Sequence, residues 1–187
     1  MKKKNTRLTF IEGERIELLP IDPENVKIHA RWVNDPKTRL YDRNIFPVSP
    51  EDLKKRLEQT QERLKSDIFF EIYHKEFDKI VGFVEFHHIN YINHAANLSV
   101  LIGEKELWDN DLGTEAAKLM MKYGFEELNL VKITAIALRP NKGACRMIEK
   151  IRMKLELVMK NQAYFDGEYV DELKFCIFRE EWEKTNK

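Results

Sequence analysis

The chain has 187 residues, 43% hydrophobic and 34% charged, with 32 basic side chains balanced by 32 acidic ones. Zero formal charge gives no pull toward nucleic acid or an anionic membrane, and no apolar run reaches membrane-spanning length. Two cysteines and five histidines show neither a disulfide framework nor metal-ligand spacing, so no metal is expected and the cytoplasm is the expected compartment. The length suits one substantial core, and no glycine-, proline- or serine-rich linker divides it, so residues 1–187 read as a single domain. The opening Met1-Lys2-Lys3-Lys4, followed by Asn5-Thr6-Arg7, reads as a solvated tail and not a signal peptide.

Arg15 to Leu19 alternates as a strand, and Pro20 with Asp22-Pro23 closes it before a helix from about Glu24 to Val33. Asp35 to Pro47 has no clean period. Ser49-Pro50-Glu51-Asp52 supplies a cap, a first-position proline and first-turn acids for a charged helix running to about Lys65. Ile68 to His74 and Ile80 to Ile89 are strands around the turn Lys75-Glu76-Phe77-Asp78. The second is apolar on both faces, the pattern of a central strand covered on both sides, and its adjacent His87 and His88 should point oppositely.

Leu98 to Ile102 is the next strand, followed by a helix from about Leu112 to Leu128 whose Ala116, Leu119, Met120 and Tyr123 form a core stripe. Val131 to Leu138 is a strand, Asn141-Lys142-Gly143 opens the last predicted helix, to about Lys150, and two final strands flank the hairpin turn Asp166-Gly167. Cys145 and Cys176 fall in that helix and the last strand as buried thiols. The order predicts an α/β (α+β) domain: a mixed, mostly antiparallel sheet of about seven strands with helices on both faces.

The strand 98–102, the loop Trp108-Asp109-Asn110-Asp111 and the helix start Leu112-Gly113-Thr114-Glu115-Ala116 form a natural anion site, because first-turn N–H groups are unpaired and the helix dipole favours negative charge. With Trp32-Val33-Asn34-Asp35-Pro36, Pro140-Asn141 and Asp166 to Asp171 in order around it, the chain resembles the GNAT N-acetyltransferases, the RimJ/RimL-like branch above all, with similarity to the spermidine acetyltransferases. The resemblance implies the GNAT fold and acetyl-CoA as cosubstrate. It sets pantetheine against the backbone of Leu101 and Ile102, the diphosphate on a cradle of Trp108, Asn110, Asp111, Leu112, Gly113 and Thr114, and further cofactor contacts on Asn141 and Arg146. Family members transfer acetyl directly to a primary amine, without a covalent enzyme intermediate.

Several positions depart from the family pattern. Its loop reads Arg/Gln-x-x-Gly-x-Gly, where this chain has Trp108, Asp111 and Gly113. Asp109 and Asp111 either repel the phosphates, with Asp111 also able to cap the helix, or turn to solvent and leave the backbone to bind. The family tyrosine seven residues beyond Asn141, the proton donor to the leaving thiolate, is Ile148; water, Tyr164 or no acid at all would replace it. Arg152 and Leu157 stand where relatives have glycine, which implies a changed backbone path or strain.

Glu85 is the candidate general base, since a carboxylate among apolar strand neighbours has a raised pKa. The competing reading pairs it with an Arg or Lys at the sheet edge. His87, two residues on, is the candidate relay, against a purely structural histidine.

Two functions follow: an N-acetyltransferase for a protein N-terminus or a small amine, polyamines included, or a degenerate CoA-binding domain without catalysis. Partners expected are a small-molecule or peptide amine and, for the assembly, a homodimer. Asp35 to Pro47 would wall the acceptor site and carries both signs of charge: Asp35, Lys37, Arg39, Asp42 and Arg43.

Overall fold

The computed structural model describes residues 7–42, 45–55 and 66–186. The basic tail, Arg43 and the expected helix between residues 56 and 65 lie outside the described residues. The remainder forms one eight-stranded sheet in the order β1-β2-β3-β4-β5-β6-β8-β7, one strand more than expected. Its strands are β1 (Ile11–Glu12), β2 (Ile16–Pro20), β3 (Ile68–His74), β4 (Lys79–Asn90), β5 (Ala95–Ile102), β6 (Lys132–Leu138), β7 (Lys154–Phe165) and β8 (Glu168–Phe178). Every neighbouring pair is antiparallel except β5 and β6.

Helices begin where the sequence supplies caps. Asp22 accepts the amide of Glu24 at 2.9 Å, and Pro23 opens a short 3₁₀ turn leading into α1 (Val26–Asn34). Asp35 then accepts the amides of Lys37 (3.0 Å) and Thr38 (3.3 Å) to start α2 (Pro36–Asp42), a helix the aperiodic sequence of this segment concealed. Ser49 and Asp52 exchange caps at the start of α3, described over 50–55: the Asp52 amide donates to Ser49 Oγ and the Ser49 amide to Asp52 Oδ2, each at 3.1 Å. Farther along come α4 (Leu112–Glu126), α5 (Lys142–Lys150) and α6 (Arg179–Asn186). The last was not expected, because Glu-rich Arg179 to Lys184 has little apolar periodicity beyond Trp182, whose ring packs 5.2 Å from Phe125.

The core lies between one sheet face and α4 with α5. Val84, Phe86, Leu98, Ile133, Ala135, Phe175 and Ile177 meet Ala116, Met120, Phe125 and Ile148 there. Gly124 permits the closest approach, since a Cβ on it would stand 2.7 Å from the Phe86 ring. The other face carries α1, with His29 over Phe83. On this face β4 is covered less than its apolar pattern suggests: Phe83, Glu85 and His87 are only half-buried.

The β4 and β5 register shifts between His87 and Asn90, and His88 takes a left-handed φ of 53°. This bulge ends the strand alternation, so the His87 and His88 rings lie 5.0 Å apart instead of on opposite faces. At the far end, Asp166 (φ 47°) and Gly167 (φ 94°) form the tight turn joining β7 and β8 as expected.

Candidate active site

β5 and β6 pair over three residues only, Ala95↔Lys132, Ala96↔Ile133 and Asn97↔Thr134. Beyond Asn97 the strands diverge, and Leu98 to Ile102 form an open edge. The Thr134 hydroxyl bonds the Asn97 amide oxygen at the crotch of this fork.

The direction of the edge groups follows from antiparallel alternation. The Gly103 amide donates to the Val81 carbonyl at 2.8 Å, so Leu101, two residues back, turns its own backbone groups toward Phe83 in β4. Val100 and Ile102 face the fork. This corrects the expectation for Leu101 by one residue, and it adds Val100, which the sequence reading missed. The Ile102 carbonyl already accepts the Trp108 indole N–H at 2.7 Å, which leaves its amide and both groups of Val100 toward the edge.

The loop after Trp108 closes the mouth of the fork. Asp109 (φ 62°) and Asp111 (φ 59°) both adopt left-handed backbone. Asp111, which stands where the family loop pattern has glycine, thus takes a left-handed conformation that Asp tolerates better than most residues. It stands at the N-cap of α4 but makes no side-chain cap bond. Its carboxylate instead pairs with Lys150 and accepts the Thr114 hydroxyl at 3.3 Å, and the Lys150 contact holds its pKa below the usual carboxylate value. The amide end of α4 is thus not capped by Asp111.

Gly113 fits between α5 and the open edge: a Cβ there would meet Met147 Sδ at 3.4 Å and Val100 Cγ1 at 3.7 Å. Asn141 caps α5 by accepting the Ala144 amide at 3.0 Å, and Arg146, one turn on, pairs with Asp109 at 2.7 Å. From the opposite side, Arg15 donates to the Asn110 carbonyl at 2.8 Å and to Glu115 at 2.9 Å. Gly113, Thr114, Asn110, Trp108, Ile102 and Arg146 are thus gathered around one mouth, with Asn141 opening the helix that supplies Arg146, while the expected Leu112 turns its side chain into the core and brings only its backbone to the helix start. Lys150 and Arg15 belong to the same group. Lys150 could have been found from its spacing of four from Arg146, which puts both on one helical face.

Glu85 lies opposite Ser99, on the sheet face away from α4. Burial, reinforced by Asp42 and Asp67, raises its pKa to about 7 against a hydrogen bond from Ser99. No Arg or Lys is paired with it among the described ion pairs. His87 shares the face, and burial with neighbouring His88 depresses its pKa, against the opposing pull of Asp67.

Behind these groups the Trp32 motif is scaffold. The Trp32 indole lies on Gly103, where a Cβ would come within 2.1 Å of the ring, and donates to Glu104 at 2.8 Å. Asn34 ties α1 to the segment before α3, donating to the Val48 carbonyl at 2.7 Å and accepting its amide at 3.0 Å.

Three departures from the family pattern have a structural account. Ile148 is 1% exposed and packs in the core, so its side chain belongs to the α4 and α5 interface. Arg152 keeps the glycine-like path at φ 63°, so the substitution is absorbed as strain. Near Leu157 the β7 and β8 register shifts between Leu155 and Leu157, a bulge that does alter the local path.

A mixed sheet forked between β5 and β6, with a loop and the start of a helix at its mouth, is the frame of an acetyltransferase domain. The chain belongs to the acetyltransferase (GNAT) domain family, whose model matches residues 15–154. Over 106 residues it is 31% identical to spermidine N(1)-acetyltransferase of Escherichia coli (strain K12), a match covering 57% of this chain and 56% of that protein. The chain thus matches little more than half the length of that relative. The uncharacterized N-acetyltransferase p20 of Bacillus licheniformis is 23% identical over 172 residues, covering 90% of this chain and 96% of p20. The Vibrio cholerae spermidine N-acetyltransferase, solved with CoA and spermine, shares the fold at a TM-score of 0.83 and 19% identity, over 91% of this chain and 99% of that one. Among the described residues, no helix is long and apolar enough to cross a membrane, and no cluster of potential metal ligands occurs.

Proposed function

We propose that the protein is an acetyl-CoA-dependent N-acetyltransferase acting on the primary amine of a small polycation. The observation that carries this reading is the open fork of β5 and β6, with Glu85 on the acceptor side and the start of α4 at its mouth.

The residues present fit acetyl-CoA. The edge-facing groups of Val100 and the Ile102 amide suit the amides of pantetheine, as in the addition of a strand. The first-turn N–H groups of α4 suit a diphosphate. Bound there, acetyl-CoA supplies an acyl thioester, whose carbonyl carbon is the electrophile.

The chain supplies proton handling and orientation. An alkylammonium has no lone pair until it loses a proton, and Glu85, with a pKa of about 7, is half in its basic form at neutral pH. His87, kept neutral by burial, gives the same face a second acceptor. Ile148 has no proton to give, and a leaving thiol with an ordinary pKa of about 8.5 departs without one. Asp42 and Asp67 both act on Glu85, and two carboxylates beside the candidate base suit a cationic acceptor better than an acidic peptide. The spermidine acetyltransferase relative supports the same class.

The test is acetyl-CoA turnover, followed as free thiol, over spermidine, a diamine, a monoamine and a peptide with a free N-terminus. Spermidine and the diamine are expected to react fastest. Turnover of the peptide alone overturns the acceptor class. A thermal shift on adding CoA without turnover of any amine overturns catalysis and leaves a CoA-binding domain.

A further inference from the structure

The cations around the start of α4 are already matched to carboxylates of the chain. Arg146 holds Asp109 at 2.7 Å, Lys150 holds Asp111, and Arg15 holds Glu115 at 2.9 Å. Arg146 and Lys150 are four residues apart on α5, so their side chains reach the loop from one face, a turn apart. Asp109 and Asp111 meet them from two left-handed residues separated only by Asn110. The Asp111 carboxylate makes no cap bond to the α4 amides and reaches only the Thr114 hydroxyl of the helix. All four side chains of these two pairs are more than half exposed. Exposed pairs of this kind contribute little stability and separate easily.

We propose that Asp109 and Asp111 are internal stand-ins for the cofactor's diphosphate, holding Arg146 and Lys150 until the phosphates take them over. The inference rests on the acetyl-CoA reading above. In the free protein the two carboxylates neutralise the cations and cover the approach to the helix end. When a diphosphate arrives, the carboxylates turn to solvent, and each cation exchanges one oxyanion partner for another. Two linked phosphates replace both carboxylates in a single binding event. A lone phosphate replaces one and is repelled by the other. The loop therefore acts as an anion exchanger that rejects small anions, and its two aspartates set that selectivity.

The exchange has a distinctive salt signature. Because ion pairs are traded and not created, CoA affinity in the native protein should change little with ionic strength. Removing the carboxylate charges turns the site into an ordinary cationic trap, whose affinity falls as salt screens it.

The experiment is titration calorimetry of the full chain and of the D109N/D111N variant with CoA, with pantetheine, which carries no phosphate, and with inorganic phosphate. Asparagine tolerates the left-handed backbone that both positions need. The variant is expected to bind CoA about tenfold more tightly at low salt, to lose that gain by about 0.5 M salt, where the Debye length is only about 4 Å, and to bind inorganic phosphate where the native chain does not. Pantetheine affinity should be the same in both. A second variant, R146Q/K150Q, should weaken CoA and leave pantetheine unchanged. Equal CoA affinity of the native chain and D109N/D111N at low salt overturns the proposal, as does weaker binding by a D109N/D111N variant whose circular dichroism is native. Failure of all three proteins to bind CoA or pantetheine instead overturns the acetyl-CoA reading.

Discussion

Replacing Glu85 by Gln removes a base while preserving size and the hydrogen bond to Ser99, so it separates the chemistry of this carboxylate from its packing. The native fold raises its pKa from 4.5 to about 7. At roughly 1.4 kcal/mol for each pKa unit, the shift corresponds to about 3 kcal/mol, or about 2 kcal/mol once partial solvent access is allowed for. The sign follows from which state holds the proton more tightly. Native Glu85 holds it more tightly than the unfolded chain, so the contribution to stability is fully present below about pH 4.5. It falls as pH rises and is gone once pH has passed 7. Glutamine does not titrate, so E85Q should gain on the native protein by about 2 kcal/mol between pH 5 and pH 8.5.

With a urea slope of about 2 kcal/mol per molar, the difference between the two midpoints should move by about 1 M over that range, in favour of the variant at high pH. The same substitution should lower kcat/KM by a hundredfold or more and abolish its rise near pH 7, while CoA still raises the melting temperature. Asp42, Asp67 and Ser99 act on the carboxyl, His87 lies two residues on in the same strand, and all four stay in both proteins. A pH-independent difference between urea midpoints refutes the burial argument. Persistence of the rise near pH 7 in E85Q refutes Glu85 as the base.

Two further substitutions probe the departures from the family pattern. Ile148→Tyr puts a larger, polar ring into a closed part of the core and should destabilise by about 1 to 3 kcal/mol in urea without raising turnover; a stable variant with faster turnover would show that the phenol reaches the leaving sulfur after all. Arg152→Gly releases a left-handed residue and should stabilise by about 0.5 to 1 kcal/mol, the relief of strain exceeding the added flexibility of the unfolded chain. A lower urea midpoint would mean that the Arg152 side chain contributes more than its backbone costs.

Strands and long helices were legible because their periods are strong: Ile68 to His74 occupies the predicted span, and the helix expected at Leu112 starts there. Short capped helices were harder. Asp35-Pro36 begins α2 by the same logic as Ser49-Pro50 in α3, but its seven residues contribute a single buried side chain, Thr38, too little to show a period. Alternation failed where the backbone left the strand region, at His88, and the resemblance that pointed to Leu101 and Ile102 did not reveal which residues of this strand bond inward to β4. The site was legible as a set of loop and helix residues. Its partners were not, because Asp42, Asp67 and Ser99 meet Glu85 only through tertiary packing and register. Nor does spacing alone tell that Asp111 pairs with Lys150 and does not cap α4.

The fork also changes what holds the molecule together. Five strands and three strands share only three residue pairs of ladder, so cohesion between the halves falls mainly to side chains beneath α4 and α5. A ligand that lies along Val100 and Ile102 supplies rungs missing from the ladder and is, in that sense, a building part of the sheet. Mass action then ties persistence to supply: a ligand present at a hundred times its dissociation constant stabilises by about 2.7 kcal/mol. For a protein of ordinary marginal stability, that increment lowers the unfolded fraction about a hundredfold. Where proteolysis consumes unfolded chains, the abundance of the protein would track the supply of its acyl donor.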